Sequence, residues 1–255
     1  MEFVGKSLAL SASGLAAVAT QLSTGSAEVS AVISVETSGM GFLPDRRPQI
    51  LFERHVFARL TGGKYSKSNP DISNVIPGGY GDPGANQYTR LGQAIALDRE
   101  SALKSASWGL GQVMGENYQM GGYPDVETMV AAMADSEDAQ LSMMAGFILS
   151  AKLESYLWTH NWPAFARGYN GPDYAAHRYD VELNGFYQKY MANAMPDLVV
   201  RAAQMYLEFR GFDPHGVDGV PGVGTLSAVK AFQASVGMAA TGTLDDATMQ
   251  ALLPQ

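Results

Sequence analysis

Apolar residues recur at helical spacing through most of the first 195 residues of the chain. Residues 49–57 fit neither the helical nor the strand period, so we expect at most one short β-hairpin there. The pattern predicts helices over residues 7–23 and 26–36, and then over Tyr88–Ser105, Asp125–Ala134, Ser136–Thr159, Trp162–Ala166 and Tyr174–Ala194.

A long stretch without periodicity, Thr61–Gln87, interrupts these helices and is rich in Gly and Pro. Long ordered loops in compact domains usually carry function, so we expect this loop to contribute to a site.

The pattern changes after Pro196, where three shorter helices are predicted over Leu198–Gly211, Thr225–Val236 and Asp245–Leu253. Gly- and Asp-rich turns separate them, and a turn followed by a helix with an early Thr occurs twice. We therefore expect a mainly α protein with two domains, a large one over residues 1–195 and a three-helix bundle over residues 196–255, called the tail below.

Glu36 occupies an unusual place, on the last turn of an apolar helix and directly before small residues. The C-terminal end of a helix is the negative end of its dipole, so the pKa of a carboxyl there is expected to rise. A carboxyl that keeps its proton near neutral pH is what cleavage of a glycosidic bond requires. A frayed helix end with a solvated Glu is the competing interpretation.

Composition restricts the partners. Hydrophobic residues make up 46% of the chain and charged residues 16%, which favours a substantial folded core. The net charge of −8 argues against binding to nucleic acid or to anionic membranes. Residues 7–22 lack the apolar length of a membrane span, and we expect an amphipathic first helix there rather than a signal or an anchor.

No metal or other cofactor is predicted. The chain has no cysteine, which excludes disulfides and thiolate metal sites. Its four histidines show neither an HxxH nor an HExxH spacing, so a zinc site is not expected, and His55, His160 and His177 are interpreted as structural.

The tail resembles the peptidoglycan-binding domains of bacterial and phage wall hydrolases. The resemblance rests on Gln204, Leu207 and Gly211, on the run VDGVPG over residues 217–222, and on Gly237, Gly242, Thr248 and Leu252. It implies that the tail meets peptidoglycan stem peptides, with Asp218, Gly219, Thr225, Phe232 and Gln233 as its characteristic residues. Of these, Thr225, Phe232 and Gln233 are expected to set the helix start and the buried face. A structural role in the turn is the favoured interpretation of Asp218.

The larger segment is similar to the lysozyme superfamily, and most closely to the N-acetylmuramidase domains of modular phage endolysins. Three motifs occur in the expected order: VETSGMGF at residues 35–42, SASWGLGQVM at 105–114 and ARGYNG at 166–171. Trp108 and Gly111 depart from the transglycosylase form of the second motif, which has Ala and Met there, so the cleft width could differ.

The resemblance implies that Glu36 is a general acid that protonates the glycosidic oxygen. It identifies no second carboxylate. Glu53 and Asp45 are the nearby candidates for activating a water, with a structural salt bridge as the alternative for Glu53 and a solvated turn as the alternative for Asp45. Substrate contacts are expected from Gln112, Tyr169 and Asn170, together with Ser107, Met114 and Tyr118, although aromatic residues at this density more often belong to the core.

Three functions remain open at this point. The first is a monomeric muramidase that hydrolyses the β-1,4 bond between N-acetylmuramic acid and N-acetylglucosamine in peptidoglycan. The second is a lytic transglycosylase that forms a 1,6-anhydro product, and the third is a non-catalytic wall-binding protein, which the presence of Glu36 disfavours. Resemblance to endolysins further implies accumulation in the host bacterial cytoplasm and release through a separate pore.

Overall fold

The computed structural model describes residues 2–37, 39–192 and 195–253, and the description below concerns these residues. Helices dominate and a small sheet is set among them, so the expected α-rich fold is confirmed. The helices are α1 (Ala12–Gln21), α2 (Ser26–Thr37), α3 (Arg54–Leu60), α4 (Ala85–Ile95), α5 (Arg99–Lys104), α6 (Val126–Asp135), α7 (Glu137–Ser150), α8 (Glu154–Trp158), α9 (Trp162–Asn170), α10 (Tyr179–Ala192), α11 (Leu198–Phe209), α12 (Val223–Ser235) and α13 (Asp246–Leu252).

Local signals shorten or divide several predicted helices. The first helix begins only at Ala12, because the Ser11 side chain caps it by accepting a hydrogen bond from the Gly14 amide. The predicted helix over Tyr88–Ser105 is two helices, since Asp98 caps α5. The predicted helix over Ser136–Thr159 is also two helices, separated near Lys152, which has a left-handed φ of 59°. The predicted helix end at Ala194 lies outside the described residues.

The expected place of the hairpin, residues 49–57, is wrong: that stretch supplies one strand and the start of α3, and the hairpin lies over residues 106–114. The strands of the sheet, β1 (Ile50–Phe52), β2 (Ala106–Trp108) and β3 (Val113–Met114), are antiparallel and lie in that order. Leu51 pairs with Ser107 and Ser107 pairs with Met114, so these three side chains share one face of the sheet. The other face is buried, and it includes Trp108, whose indole N–H donates to the Leu103 carbonyl.

Two short 3₁₀ helices, Gly115–Gly121 and Pro172–His177, complete the large domain. Its core gathers side chains from the sheet and from helices α1 to α10. No helix in the described parts of the chain is long and apolar enough to cross a membrane.

The three tail helices are joined by two similar hydrogen-bonded units. The buried Gln204 amide donates to Thr225 and accepts from the Gly219 N–H, and Gln233 makes the equivalent bonds to Thr248 and the Gly242 N–H. The two turn-and-helix segments seen in the sequence are therefore organised in the same way, each around a buried glutamine whose amide is hydrogen-bonded.

These contacts locate the tail residues that the resemblance implied for binding. Phe232, Gln233 and Thr225 are buried inside the tail rather than exposed on its surface. Asp218 accepts from the Val220 N–H and from Gln204, which places it in the turn as the favoured interpretation had it. All five residues, Gly219 included, therefore contact the interior of the tail or its turns.

Candidate active site

Glu36 lines a cleft of about 530 Å³ over one face of the sheet. The paired residues Leu51, Ser107 and Met114 form one wall, and α9, α10 and the 3₁₀ helix before α10 form another. The remaining lining residues are Glu53, Tyr80, Gln112, Tyr169, Asn170, Tyr174, His177 and Tyr179.

The helix that carries Glu36 is fixed by packing on nearly all sides. Val29, Ala31 and Val32 of α2 are fully buried, and α10 packs along the same helix. The Ser34 and Tyr190 hydroxyls, 2.6 Å apart, join the two helices. Glu36 therefore reaches the cleft on a rigid element, one residue before the end of α2.

The environment of Glu36 favours its protonated form. Burial raises the pKa of this carboxyl to about 8, and hydrogen bonds from the Tyr179 hydroxyl and the Asn170 side chain oppose the rise only in part. The Tyr179 Oη lies 3.3 Å from Glu36 Oε2. At neutral pH the group is therefore a carboxylic acid with a proton to donate into the cleft.

Glu53 brings a second carboxyl group to the cleft. It follows β1 directly and precedes the first turn of α3. Its Oε2 lies 3.0 Å from His55 Nδ1, and the Tyr80 hydroxyl is hydrogen-bonded to the same side chain. Tyr80 belongs to the Gly- and Pro-rich loop, so that loop does contribute to the cleft.

Hydrogen bonds from residues of the second and third motifs hold the turn between β2 and β3. Gln112 has a left-handed φ of 45°, and its amide donates to the Gly109 carbonyl and accepts from the Ser107 hydroxyl. The buried Tyr169 hydroxyl donates to the Gly111 carbonyl at 2.6 Å. Hydrogen bonds of Tyr169 and Gln112 therefore stabilise this conformation of the turn.

Comparison with known proteins decides the family. A profile of the N-acetylmuramidase family matches residues 25–191, more than half of the chain. The chain belongs to the N-acetylmuramidase family. A profile of peptidoglycan binding domains matches residues 198–252 of the same chain. The crystal structure of the Burkholderia AP3 phage endolysin is similar, with a TM-score of 0.66 and 39% sequence identity over 72% of this chain and 71% of that one. A search of curated proteins gave no match.

These matches confirm the resemblance to modular phage endolysins and identify the muramidase as a peptidoglycan hydrolase whose partner is peptidoglycan. They also allow the two departures in the second motif to be explained. The ring of Trp108 is buried behind the sheet and does not line the cleft. A Cβ atom on Gly111 would lie 2.7 Å from Met144 Cβ and 3.1 Å from Tyr169 Oη, so only glycine fits at this position of the turn.

Two predicted site residues lie away from the muramidase cleft. Asp45 pairs with the Arg47 guanidinium at 2.8 Å in the turn where it was expected to be solvated. Tyr118 packs against the large core, with the Lys104 ammonium 5.4 Å from the centre of its ring. Neither residue lines the cleft with Glu36.

Several lining residues carry no sequence signal of their own. Tyr174, His177 and Tyr179 come from the 3₁₀ helix and from the start of α10, where no motif was recognised, and His177 had been interpreted as structural. The single hint is that Tyr169, Tyr174 and Tyr179 recur at intervals of five residues. That interval matches no regular element, because the three tyrosines lie in α9, in the 3₁₀ helix Pro172–His177 and in α10.

Proposed function

We propose that this muramidase cleaves the β-1,4 bond between N-acetylmuramic acid and N-acetylglucosamine, with Glu36 as the general acid. The observation that carries the proposal is a carboxyl group in the cleft whose pKa is raised to about 8 by burial. Such a group holds its proton at the pH of the cell and delivers it where the glycosidic oxygen would lie.

Proton transfer from Glu36 would stabilise the departing sugar oxygen while the other sugar develops oxocarbenium character. A positioned acid of this kind contributes typically about 10²–10⁴-fold to the rate. Asn170 and Tyr179 hold the carboxyl in place and restrict its rotamers, which keeps the proton directed into the cleft.

Glu53 is our candidate for activating the attacking water. It lines the same cleft as Glu36, and the hydrogen bond with the Tyr80 hydroxyl restricts the orientation of its side chain. In a transglycosylase the muramic acid 6-hydroxyl replaces this water. A second, oriented carboxyl in the cleft is therefore what favours hydrolysis.

The test uses Glu36→Gln and Glu53→Gln with purified sacculi. We expect Glu36→Gln to slow release of glycan fragments by about 10²–10⁴-fold, and Glu53→Gln to reduce it comparably if Glu53 activates the water. Wild-type release by Glu36→Gln would overturn the proposal. A Glu53→Gln variant close to the wild-type rate would leave Glu53 with the structural role of a salt-bridge partner.

Mass spectrometry of the fragments released by the wild-type protein tests the reaction type. Hydrolysis leaves a reducing N-acetylmuramic acid end, whereas a transglycosylase leaves an anhydro end that lacks one water. An anhydro product would replace hydrolysis by the intramolecular reaction and would retain Glu36 as the acid.

A further inference from the structure

A second buried glutamate, Glu137, lies behind the segment that follows Glu36. Its side chain is 0% exposed, and its two oxygens accept hydrogen bonds from the backbone N–H groups of Leu10 (2.7 Å) and Gly41 (2.8 Å). Gly41 belongs to the Gly39–Gly41 segment, which begins three residues after Glu36. Glu137 therefore fixes the backbone that leaves the catalytic helix.

The remaining partner of Glu137 comes from the tail. Arg201, on α11, is 5% exposed and donates from Nη1 and Nη2 to the two Glu137 oxygens at 2.6 and 2.9 Å. Its Nη2 also donates to the Gly39 carbonyl. One guanidinium group thus binds both the Gly39–Gly41 segment and the carboxylate that holds it, in the bidentate geometry that gives arginine its directional specificity.

The packing around this ion pair shows that the tail lies directly on the segment. Phe42 is fully buried in the tail's hydrophobic core, and its ring meets Phe209 edge to face at 6.2 Å. Gly39 has a φ of 98°, and a Cβ atom there would lie 2.5 Å from the Val217 carbonyl oxygen. The Ala9 N–H also donates to the Tyr206 hydroxyl of the tail.

We propose that Arg201 is a positioning residue for catalysis, and that contact of the tail through Arg201 holds the Glu36 end of α2 in its working geometry. The tail then has two roles, binding to the wall and completing the catalytic domain. The inference rests on the proposed role of Glu36. It does not require Arg201 to touch the substrate, since its contacts are Glu137 and Gly39.

If the tail only tethers the enzyme to the wall, substitution of Arg201 should not change the cleavage rate of a substrate that requires no tethering. The probe is soluble glycan strands stripped of their stem peptides, assayed for initial rate over a range of concentrations. The main variant is the pair Glu137→Gln with Arg201→Met, which removes both charges together and leaves no unpaired buried ion. We expect kcat to fall by about 10²-fold, the effect associated with ångström-scale misplacement of reacting groups, with KM nearly unchanged.

Arg201→Lys supplies the rescue experiment. The ammonium keeps the charge beside Glu137 but cannot reproduce the planar guanidinium contact with both Glu137 and Gly39. We expect its kcat to lie between those of the double variant and the wild-type protein. The alkaline limb of its pH profile should move to lower pH, because a loosened α2 end admits water to Glu36.

Arg210→Met is the matched control. Arg210 lies nine residues after Arg201, immediately after α11, and its guanidinium donates to the Ala251 and Leu253 carbonyls inside the tail. We expect wild-type kcat from it. Rates are measured at a temperature at which near-ultraviolet circular dichroism shows every variant to be folded.

The outcomes separate the two proposals. Wild-type kcat on soluble strands for both the double variant and Arg201→Lys would overturn the positioning role, as would a loss no larger than the loss of folded protein. Glu36→Gln is assayed beside them. If it keeps full activity, the proposed function fails first, whereas an inactive Glu36→Gln with fully active Arg201 variants defeats the positioning inference alone.

Discussion

Glu36 and Glu137 are both shielded from solvent and lie on either side of the Gly39–Gly41 segment. They differ in the helix end that they occupy and in the hydrogen bonds that their carboxyl groups accept. Glu137 is the first residue of α7, where the helix dipole favours negative charge, and it accepts four hydrogen bonds, two of them from a guanidinium. Glu36 lies at the opposite kind of helix end, and among the described residues its carboxyl is hydrogen-bonded by Tyr179 and Asn170.

The contrast shows how one residue type acquires two functions. Burial acts on both groups, but at Glu137 the donors replace the lost water, whereas at Glu36 they do so only in part. The first arrangement makes an anchor for the backbone. The second leaves an acid that keeps its proton, facing a cleft. If the hydrogen-bond donors around Glu36 and Glu137 were exchanged, substitution of Glu36 should lower stability and substitution of Glu137 should lower activity.

The largest expected effect concerns activity at Glu36. Glu36→Gln should slow cleavage of sacculi by about 10²–10⁴-fold, because the amide has no acidic proton to give. The melting temperature should be unchanged or higher, since the amide removes a desolvated carboxyl without a change of shape. Calorimetry and a turbidity assay measure both. Glu208→Gln, in the tail and outside the cleft, is the control, and a Glu36→Gln variant that unfolds at a lower temperature would contradict this account.

Glu137 should show the reverse. Glu137→Ala leaves the Arg201 guanidinium buried without its counter-ion and should lower the free energy of unfolding by about 3–5 kcal/mol. Urea denaturation measures this change. The double variant Glu137→Gln with Arg201→Met should lose clearly less, because no unpaired charge remains. Equal losses would show that packing volume, rather than the ion pair, supports this region.

The next prediction concerns the pH dependence of stability that follows from the raised pKa of Glu36. With a folded pKa of about 8 against 4.5 in the unfolded chain, Glu36 binds a proton in the folded protein that the unfolded chain has released. Its contribution to stability therefore falls as pH rises from about 4.5 to about 8. The unfolding free energy of the wild-type protein should fall relative to that of Glu36→Gln across this window. Parallel curves would contradict the raised pKa.

The smallest effect is expected at Tyr179. Its hydroxyl stabilises the ionised form of Glu36, so Tyr179→Phe should raise the pKa of that carboxyl further and move the alkaline limb of activity to higher pH. A single hydrogen bond contributes net about 0.5–1.5 kcal/mol, which limits the shift to about one pH unit. A rate–pH profile tests it, and a shift to lower pH would show that Tyr179 acts mainly by excluding water.

Sequence reasoning reached the parts of the site that local pattern determines. Glu36 was predicted from its place at a helix end, Gln112 and Asn170 from short motifs that resemble those of the family, and all three line the cleft. The breaks at Asp98 and Lys152 were missed because apolar periodicity continues across them. Asp98, a preferred N-cap residue, with Glu100 in the first turn after it, was the available signal for the first.

The remaining features depend on contacts between distant parts of the chain. His177 and Tyr179 enter the cleft because α10 packs along α2, which no local pattern records. Arg201 follows Glu137 by 64 residues, and in the sequence it is one more charged residue on an amphipathic helix. By contrast, Phe232 and Gln233 were expected on the buried face of the tail, and both are buried there.

The burial of Phe42 in the tail core bears on how such enzymes exchange their parts. Recombination between α10 and α11 joins two segments from different proteins. Because Phe42 precedes this joint and packs in the tail core, the residues of one hydrophobic core would then come from two proteins. A grafted tail without a pocket for this ring would leave an aromatic side chain exposed six residues after Glu36. Chimeric lysins built from this chain therefore need the residues around Phe42 and Arg201 to be inherited together.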